Sequence, residues 1–366
     1  MMIAIDRIDA FPVVVPLPEP IKVFGKLIRA REFMFVRVYS AQFCGTGFGF
    51  SRGFPLDAIV RQHIAPHVLG QSLGSHRQIW DSCRHAMRMI GETGAYARAL
   101  SLVDIALWDV WAQSLNVPLW QLLGGAKASI PCIAICGYYR DDDPIGALRR
   151  DAERLSARGF TRFKIPFGAD RELDIQRLTA MREVIGPNAL LAVDASAAYD
   201  SVKGAHAAWT SVSQFNLAFL EDPFAAHEIA KVIELSQFAD CTVAFGESVS
   251  DLKQMHQLAQ HVDVFRPDAT HQLGITGYLQ TVPLALERGS SIIPHYFPDL
   301  HAPLIGALGG TMIEESPYEA DTVNFRVLRA EQPIIQDGIW HLTERAGLGV
   351  VWDEDALAHH RQQQPL

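Results

Sequence analysis

The sequence predicts an α/β protein: a parallel (β/α) barrel of the TIM type, preceded by a mixed α+β region. Two observations point to it. From residue 130 onward, short apolar runs alternate with amphipathic helical stretches, eight times over about 185 residues, as strands and helices do in a parallel barrel. Before residue 125 the texture is different: apolar strands come first and helices follow.

In chain order, IAIDRIDAFPVVV, FMFVRVYS and GTGFGF read as strands of an antiparallel sheet. Three helical patterns follow: PLDAIVRQHIAPHVLG, HRQIWDSCRHAMRM and AYARALSLVDIALWDVWAQSLN. In the last, Ala99, Leu102, Val103, Ala106, Leu107 and Val110 recur at three and four, the helical period. Val117-Pro118 closes it, because the residue before proline disfavours helical backbone. The barrel runs are PCIAIC, RFKI, LLAVDA, LAFLED, TVAFGES, DVFRPD, SIIPHY and TMIEES. HAPLIGALGG is short and glycine-rich for a helix, which makes the last unit the least regular. The tail, VNFRVLRAEQPIIQDGIWHLTERAGLGV, is β-rich and is expected to pack back on the N-terminal part. The expected boundaries are 1–125, 126–320 and 321–366.

A chain of 366 residues, 49% apolar and 20% charged, is long enough for one large domain or two ordinary ones and for a sizeable core. The formal charge of −9, with no long basic run, argues against nucleic acid and anionic membranes as partners. A local site can still be cationic in an acidic protein, so a small acidic substrate stays open. The five cysteines (Cys44, Cys83, Cys132, Cys136, Cys241) are odd in number and irregularly spaced, unlike a disulfide framework. Cys132 and Cys136 lie on one predicted strand, about 13 Å apart at ~3.3 Å per residue, so they read as core filler rather than a metal pair. MMIAIDRIDAFPVVVPLP has two early acids and no signal-peptide layout, and no apolar run approaches the roughly 20 residues of a membrane span. A soluble cytoplasmic protein is expected.

The chemistry-bearing residues stand at the C-terminal ends of the predicted strands. They are Lys164, Asp194, Glu221, Glu247, Asp268, His295 and Glu314, on strands two to eight in order. Active sites of such barrels sit at that face, so Asp194, Glu221 and Glu247, each one βα unit from the last, should converge. Three carboxylates repel unless a cation lies between them, and oxygen-only donors suit a hard ion such as Mg²⁺. The alternative is that strand-end acids merely cap the helices that follow. Asp268 and His295 are one strand apart, and a carboxylate beside a histidine fixes its tautomer and stabilises its charged form. His301 falls in the following loop.

VDAS, EDP, GES, RPDA with PHYF, and the stretch SLVDIALWDVWAQSLNVPLWQLLGG resemble the enolase superfamily, specifically the mandelate racemase subgroup, over nearly the whole chain. The resemblance implies a modified (β/α)7β barrel with an α+β capping domain formed by the N-terminal part and the C-terminal tail. It implies Mg²⁺ held by Asp194, Glu221 and Glu247, and an Asp268–His295 dyad. It also implies that Glu314 hydrogen-bonds a substrate carboxylate. The shared step is removal of a proton α to a carboxylate, and Lys164 close to that carboxylate would help balance the charge. Relatives commonly form oligomers, so a homo-oligomer is expected.

One departure matters. The subgroup carries Lys-x-Lys on strand two, and here Lys164 is followed by Ile165 and Pro166. Proline has no ionisable side chain and no backbone N–H, so one of two bases is lost and His295 is kept. One-sided chemistry suits dehydration of a sugar acid to a 2-keto-3-deoxy acid, with His295 as base and then acid. The alternatives are a racemase or epimerase, with Lys164 or a tyrosine opposite His295, and a catalytically inactive binding protein of the same fold. The family's two lid loops correspond to IKVFGKLIRA and GFGFSRGF, which makes Lys22, Phe24, Phe50 and Arg52 candidates for substrate contact. Tyr138 and Tyr139, after strand one, are candidates as well.

Overall fold

Three long strands open the chain: β1 (Arg7–Val23), β2 (Lys26–Ser40) and β3 (Phe43–Phe50), in an antiparallel sheet of that order. The structure, a computed structural model, describes residues 3–23, 26–139, 143–168, 170–316 and 322–361. β1 and β2 run further than the apolar pattern suggests. Backbone pairing continues to Val23 opposite Lys26, so much of IKVFGKLIRA is the end of a hairpin rather than a loop.

The helix Ala95–Ser114 lies across this sheet with 15 of its residues buried. The alternating glycines of GTGFGF explain the close approach. A Cβ on Gly47 would fall 1.8 Å from the Leu102 carbonyl oxygen, and one on Gly45 would fall 2.1 Å from that of Ala106. Glycine every second residue gives the strand one bare face, and the helix backbone seats on it.

The barrel follows. Its strands are β4 (Ser129–Ile135), β5 (Arg162–Pro166), β6 (Leu190–Asp194), β7 (Leu220–Glu221), β8 (Val243–Phe245), β9 (Val264–Phe265), β10 (Ser291–Ile292) and β11 (Ile313–Glu315). Neighbours pair in parallel from β4 through β10, and β11 pairs β4. One bond, from the Thr311 amide to the Ile292 carbonyl (3.0 Å), spans the seam between β10 and the chain entering β11. Among the described residues seven helices alternate with these eight strands, and the seventh is Pro298–Leu308. HAPLIGALGG is thus helical for most of its length. A short 3-10 turn, Phe325–Leu328, follows β11. This is the (β/α)7β arrangement.

β12 (Ile334–Gln336) and β13 (Ile339–His341) form a hairpin whose second strand pairs antiparallel with β4. Phe325 and Trp352 insert beside Phe33, Phe35 and Phe48 of the first sheet and Phe297 of the barrel, with ring centroids 5.0–6.3 Å apart. All five cysteines are free thiols, and Cys132 and Cys136 are buried in the core. No helix among the described residues is long and apolar enough to cross a membrane.

Candidate active site

Parallel register sets Pro166 opposite Asp194 and Asp194 opposite Glu221 at the C-terminal rim. Glu247 follows Gly246, whose φ of 138° and whose 3.0 Å gap from a Cβ to the Arg266 carbonyl oxygen demand a glycine. Arg266 and Asp268 follow β9, His295 follows β10, and Glu314 lies within β11. Left-handed backbone at Ser196, Ala197, Asp222, Tyr296 and Phe297 gathers at the same rim. Each such residue costs about 1–3 kcal/mol, a strain that collects where side chains must be aimed. The capping alternative does not hold. Ser201 caps the helix after Asp194, Asp251 caps the helix after Glu247, and the helix after Glu221 has no side-chain cap.

Beneath the rim is a buried charge network. The Lys164 ammonium pairs with Glu221 and Glu314. Arg266 Nη2 reaches Glu221 Oε1 and Glu247 Oε2 at 3.0 Å and Glu314 Oε1 at 2.5 Å, while its Nη1 donates to the Ile293 carbonyl. Glu314 Oε2 accepts the Tyr296 amide at 3.0 Å. Burial disfavours the charge on Lys164 and Arg266, but the carboxylates around each outweigh it and hold both cationic. Glu247 is drawn down to about 2: its burial is overcome by His295, Arg266 and Lys164. Glu221 and Asp222 are pushed well up, first by burial, and Asp222 also by Glu247 and Glu221. Asp194 is raised by burial too, against the pull of Lys164.

His295 Nδ1 meets Asp268 Oδ2 at 2.8 Å, and its Nε2 stands 3.4 Å from Glu247 Oε1. Asp268 is itself fixed, because its Oδ1 accepts from the Thr270 amide and hydroxyl at 2.8 and 2.7 Å. Burial alone would raise this carboxyl, but His271 and His295 hold it well below the usual range. His301 is structural. Its Nδ1 donates to the Tyr296 carbonyl at 2.6 Å and its Nε2 accepts the Ala269 amide at 3.1 Å, so the backbone occupies both ring nitrogens.

Lys164, Pro166, Asp194, Asp222, Glu247 and His295 line one cavity of about 330 Å³. Tyr138, Tyr139 and Tyr296 of the barrel also line it, and the N-terminal sheet contributes Arg31, Phe50 and Arg52. The Tyr138 and Tyr296 hydroxyls hydrogen-bond each other, and the Tyr139 hydroxyl donates to Asp174 Oδ1 at 2.5 Å. Phe24 and the side chain of Lys22 lie outside the described residues. Glu314 and Glu221 are fully buried below the cavity lining.

Sequence reasoning missed Arg31, Asp222, Arg266 and Tyr296. Asp222 was visible as the second acid of EDP. Arg266 was visible too, since the strand period puts it on the same face as Asp268. Arg31 gave no local signal.

A hard divalent cation fits the donors in kind. Asp194, Glu221 and Glu247 offer only carboxylate oxygens. Glu221 Oε2 and Asp222 Oδ1 are buried without a hydrogen-bond partner, and burial resists the charge on Asp194, Glu221 and Asp222, a cost that a cation among them would offset. They are not gathered into a ready ligand set: among the described residues no three acidic, histidine or cysteine side chains stand in metal-holding geometry. Glu221 and Glu247 turn instead to Arg266, and Asp194 Oδ1 accepts the Ser196 amide and hydroxyl.

The chain matches the family description "Mandelate racemase / muconate lactonizing enzyme, N-terminal domain" over residues 7–124 and "Enolase C-terminal domain-like" over residues 147–356. It is 29% identical to the L-talarate/galactarate dehydratase of Salmonella typhimurium over 322 residues, 86% of this chain and 78% of that one. It is 27% identical to the 3,6-anhydro-alpha-L-galactonate cycloisomerase of Streptomyces coelicolor over 320 residues, 85% and 87% of the two chains. The crystal structure of L-talarate dehydratase from Polaromonas sp. JS666, complexed with Mg and L-glucarate, superposes with a TM-score of 0.87 at 27% identity, covering 98% of this chain and 96% of that one.

Proposed function

The chain belongs to the mandelate racemase / muconate lactonizing enzyme family of the enolase superfamily, and from that premise we propose that it dehydrates a sugar acid to a 2-keto-3-deoxy acid, with His295 as the only base. One observation carries this choice. Pro166 closes β5 opposite Asp194 and lines the cavity, while His295, across the barrel mouth, is the imidazole that a carboxylate orients.

The steps follow from the residues. The hydrogen bond to Asp268 places the His295 proton on Nδ1 and leaves the Nε2 lone pair to the cavity. Nε2 takes the proton from the substrate's C2. The electron pair left behind forms the C2–C3 double bond as the 3-hydroxyl departs. The imidazolium returns its proton to that hydroxyl, which leaves as water, and the enol becomes the 2-keto acid. Asp194, Glu221 and Glu247 would hold Mg²⁺, whose chemistry when bound is to draw electron density from the substrate carboxylate and so acidify the α-proton. Lys164, paired with Glu221 and Glu314, supplies fixed positive charge near that carboxylate. The dehydratase relatives and the Mg named with the Polaromonas structure support the reaction type and the ion.

The test is incubation with Mg²⁺ and a panel of five- and six-carbon sugar acids, with detection of 2-keto acid. At least one acid should yield it, and His295→Asn should lower kcat by about 10²–10⁴-fold. No keto acid from any member, or full turnover by the variant, removes the proposal.

A further inference from the structure

Arg31 stands where the fold calls for an apolar side chain. It lies two residues before Phe33 on β2, on the face that carries Phe33 and Phe35 into the aromatic core. It is 8% exposed. Its Nε donates to the Thr322 backbone oxygen at 2.9 Å, which fixes the plane of the guanidinium and leaves its Nη edge to the cavity that it lines. Among the described residues no carboxylate pairs with it. A buried charge without a counterion is costly, and a planar fork of donors suits a carboxylate or phosphate held by two bonds.

A second guanidinium stands nearby. Arg52 lines the same cavity at its exposed mouth. The two meet at one ring, with Arg31 5.7 Å and Arg52 5.0 Å from the centroid of Phe50. The charge of Arg31 also reaches the paired hydroxyls of Tyr138 and Tyr296, and Tyr138 feels Lys164 as well. The cavity therefore has two cationic ends. One is Lys164, set among the barrel carboxylates. The other is Arg31 with Arg52, contributed by the N-terminal sheet; among the described residues no carboxylate pairs with Arg31, and Glu32 bonds the Ser51 hydroxyl beside Arg52 at 3.4 Å.

We propose that Arg31, assisted by Arg52, binds a second anionic group at the far end of the substrate, so that the acid turned over is anionic at both termini. This rests on the proposed dehydration for the reaction, but not for the binding. Three probes share a six-carbon backbone: glucarate ends in a second carboxylate, gluconate in an alcohol and 6-phosphogluconate in a phosphate. The diacid or the phosphate should be turned over with a kcat/KM at least roughly 30-fold above gluconate, the discrimination expected when a buried charge loses its partner. Their order says which anion the subsite takes. Arg31→Gln should erase most of that preference, chiefly through KM, and Arg31→Lys should recover part of it. Arg52→Ala, at an exposed position, should reduce it without risk to folding.

Binding of glucarate by calorimetry separates the two ideas. If no keto acid forms, yet glucarate binds and Arg31→Gln and Arg52→Ala weaken it, the dehydration fails and the anion subsite stands. If gluconate matches glucarate and 6-phosphogluconate in wild type, or if neither variant shifts the preference or the binding, the subsite is refuted whatever the reaction.

Discussion

In the proposed reaction, Pro166 decides how many faces of a substrate carbon the site can address. Side chains two apart on a strand point the same way, so Lys164 and Pro166 share the cavity side of β5, and both line it. Lys164 is held between Glu221 and Glu314, and Pro166 offers nothing that moves a proton. Placing an amine at that position should restore a base opposite His295. Pro166→Lys is expected to exchange the α-proton with solvent and to release some epimerised acid. Both outcomes are readable by proton NMR of substrate recovered from D₂O. A folded variant that still dehydrates but exchanges no faster than wild type would show that this position does not face the α-carbon. The strand-end residues were legible because each closes an apolar run, and the run fixes where the rim lies. Arg31 was not legible. It reaches the cavity from a strand far earlier in the chain, and nothing local distinguishes it from a surface arginine. The turning of Glu221 and Glu247 onto Arg266 was equally hidden, since it depends on which cation the fold brings closest.

At the scale of elements, the junction between the helix Ala95–Ser114 and the barrel helix Gly274–Arg288 hangs on one acid. Asp104 accepts the Thr276 amide at 2.8 Å and the Thr276 hydroxyl at 2.7 Å, and Trp108 Nε1 donates to the same hydroxyl at 3.0 Å. Burial lifts the Asp104 carboxyl from 3.8 to about 7, against the hydrogen bonds from Thr276. In the unfolded chain it regains an ordinary value. Between about pH 4 and pH 7 the folded protein therefore binds more protons at this site than the unfolded one, and stability falls as pH rises through that window. Asp104→Asn keeps the shape and removes the titration. Urea unfolding at pH 4.5, 5.5, 6.5 and 7.5 should show wild type losing stability relative to the variant as pH rises. Parallel curves would mean that Asp104 stays ionised in the fold. The helix itself was plain in the sequence from its three-and-four repeat. Its seat on β3 was written in GTGFGF, but only as bare glycines whose partner is unknowable before the chain folds. The two-residue strands β7, β9 and β10 were legible as apolar runs because a barrel strand is buried on both faces. The true length of the hairpin β1–β2 was not, since backbone pairing there outlasts the apolar pattern.

Across the whole molecule, the cavity has one wall from the barrel and one from the N-terminal sheet, and the same two bodies share an aromatic core. Phe33, Phe35 and Phe48 of the sheet, Phe297 of the barrel, and Phe325 and Trp352 from the chain after β11 form a single cluster of ring contacts. Phe297 follows His295 by two residues, so the packing that joins the bodies also holds the strained turn carrying the proposed base. Disturbing the far side of the cluster should be felt as lost stability and as lost aim. Trp352 is distant in sequence from every proposed site residue and stacks edge-on against Phe35 and Phe48 at 5.0 and 5.1 Å. Trp352 is partly buried, so Trp352→Ala should cost about 2–3 kcal/mol, below the roughly 3–5 kcal/mol of emptying a fully buried aromatic site. Adding Mg²⁺ at about a hundred times its Kd should return about 2.7 kcal/mol to both proteins alike, because the proposed ligands Asp194, Glu221 and Glu247 are untouched. Thermal unfolding followed by far-UV and near-UV dichroism distinguishes two outcomes. Coincident transitions that Mg²⁺ moves together mean that the sheet and the barrel melt as one body. A split transition in the variant, with Mg²⁺ shifting only the later step, would mean that the barrel stands alone and that the aromatic cluster is a dispensable seam.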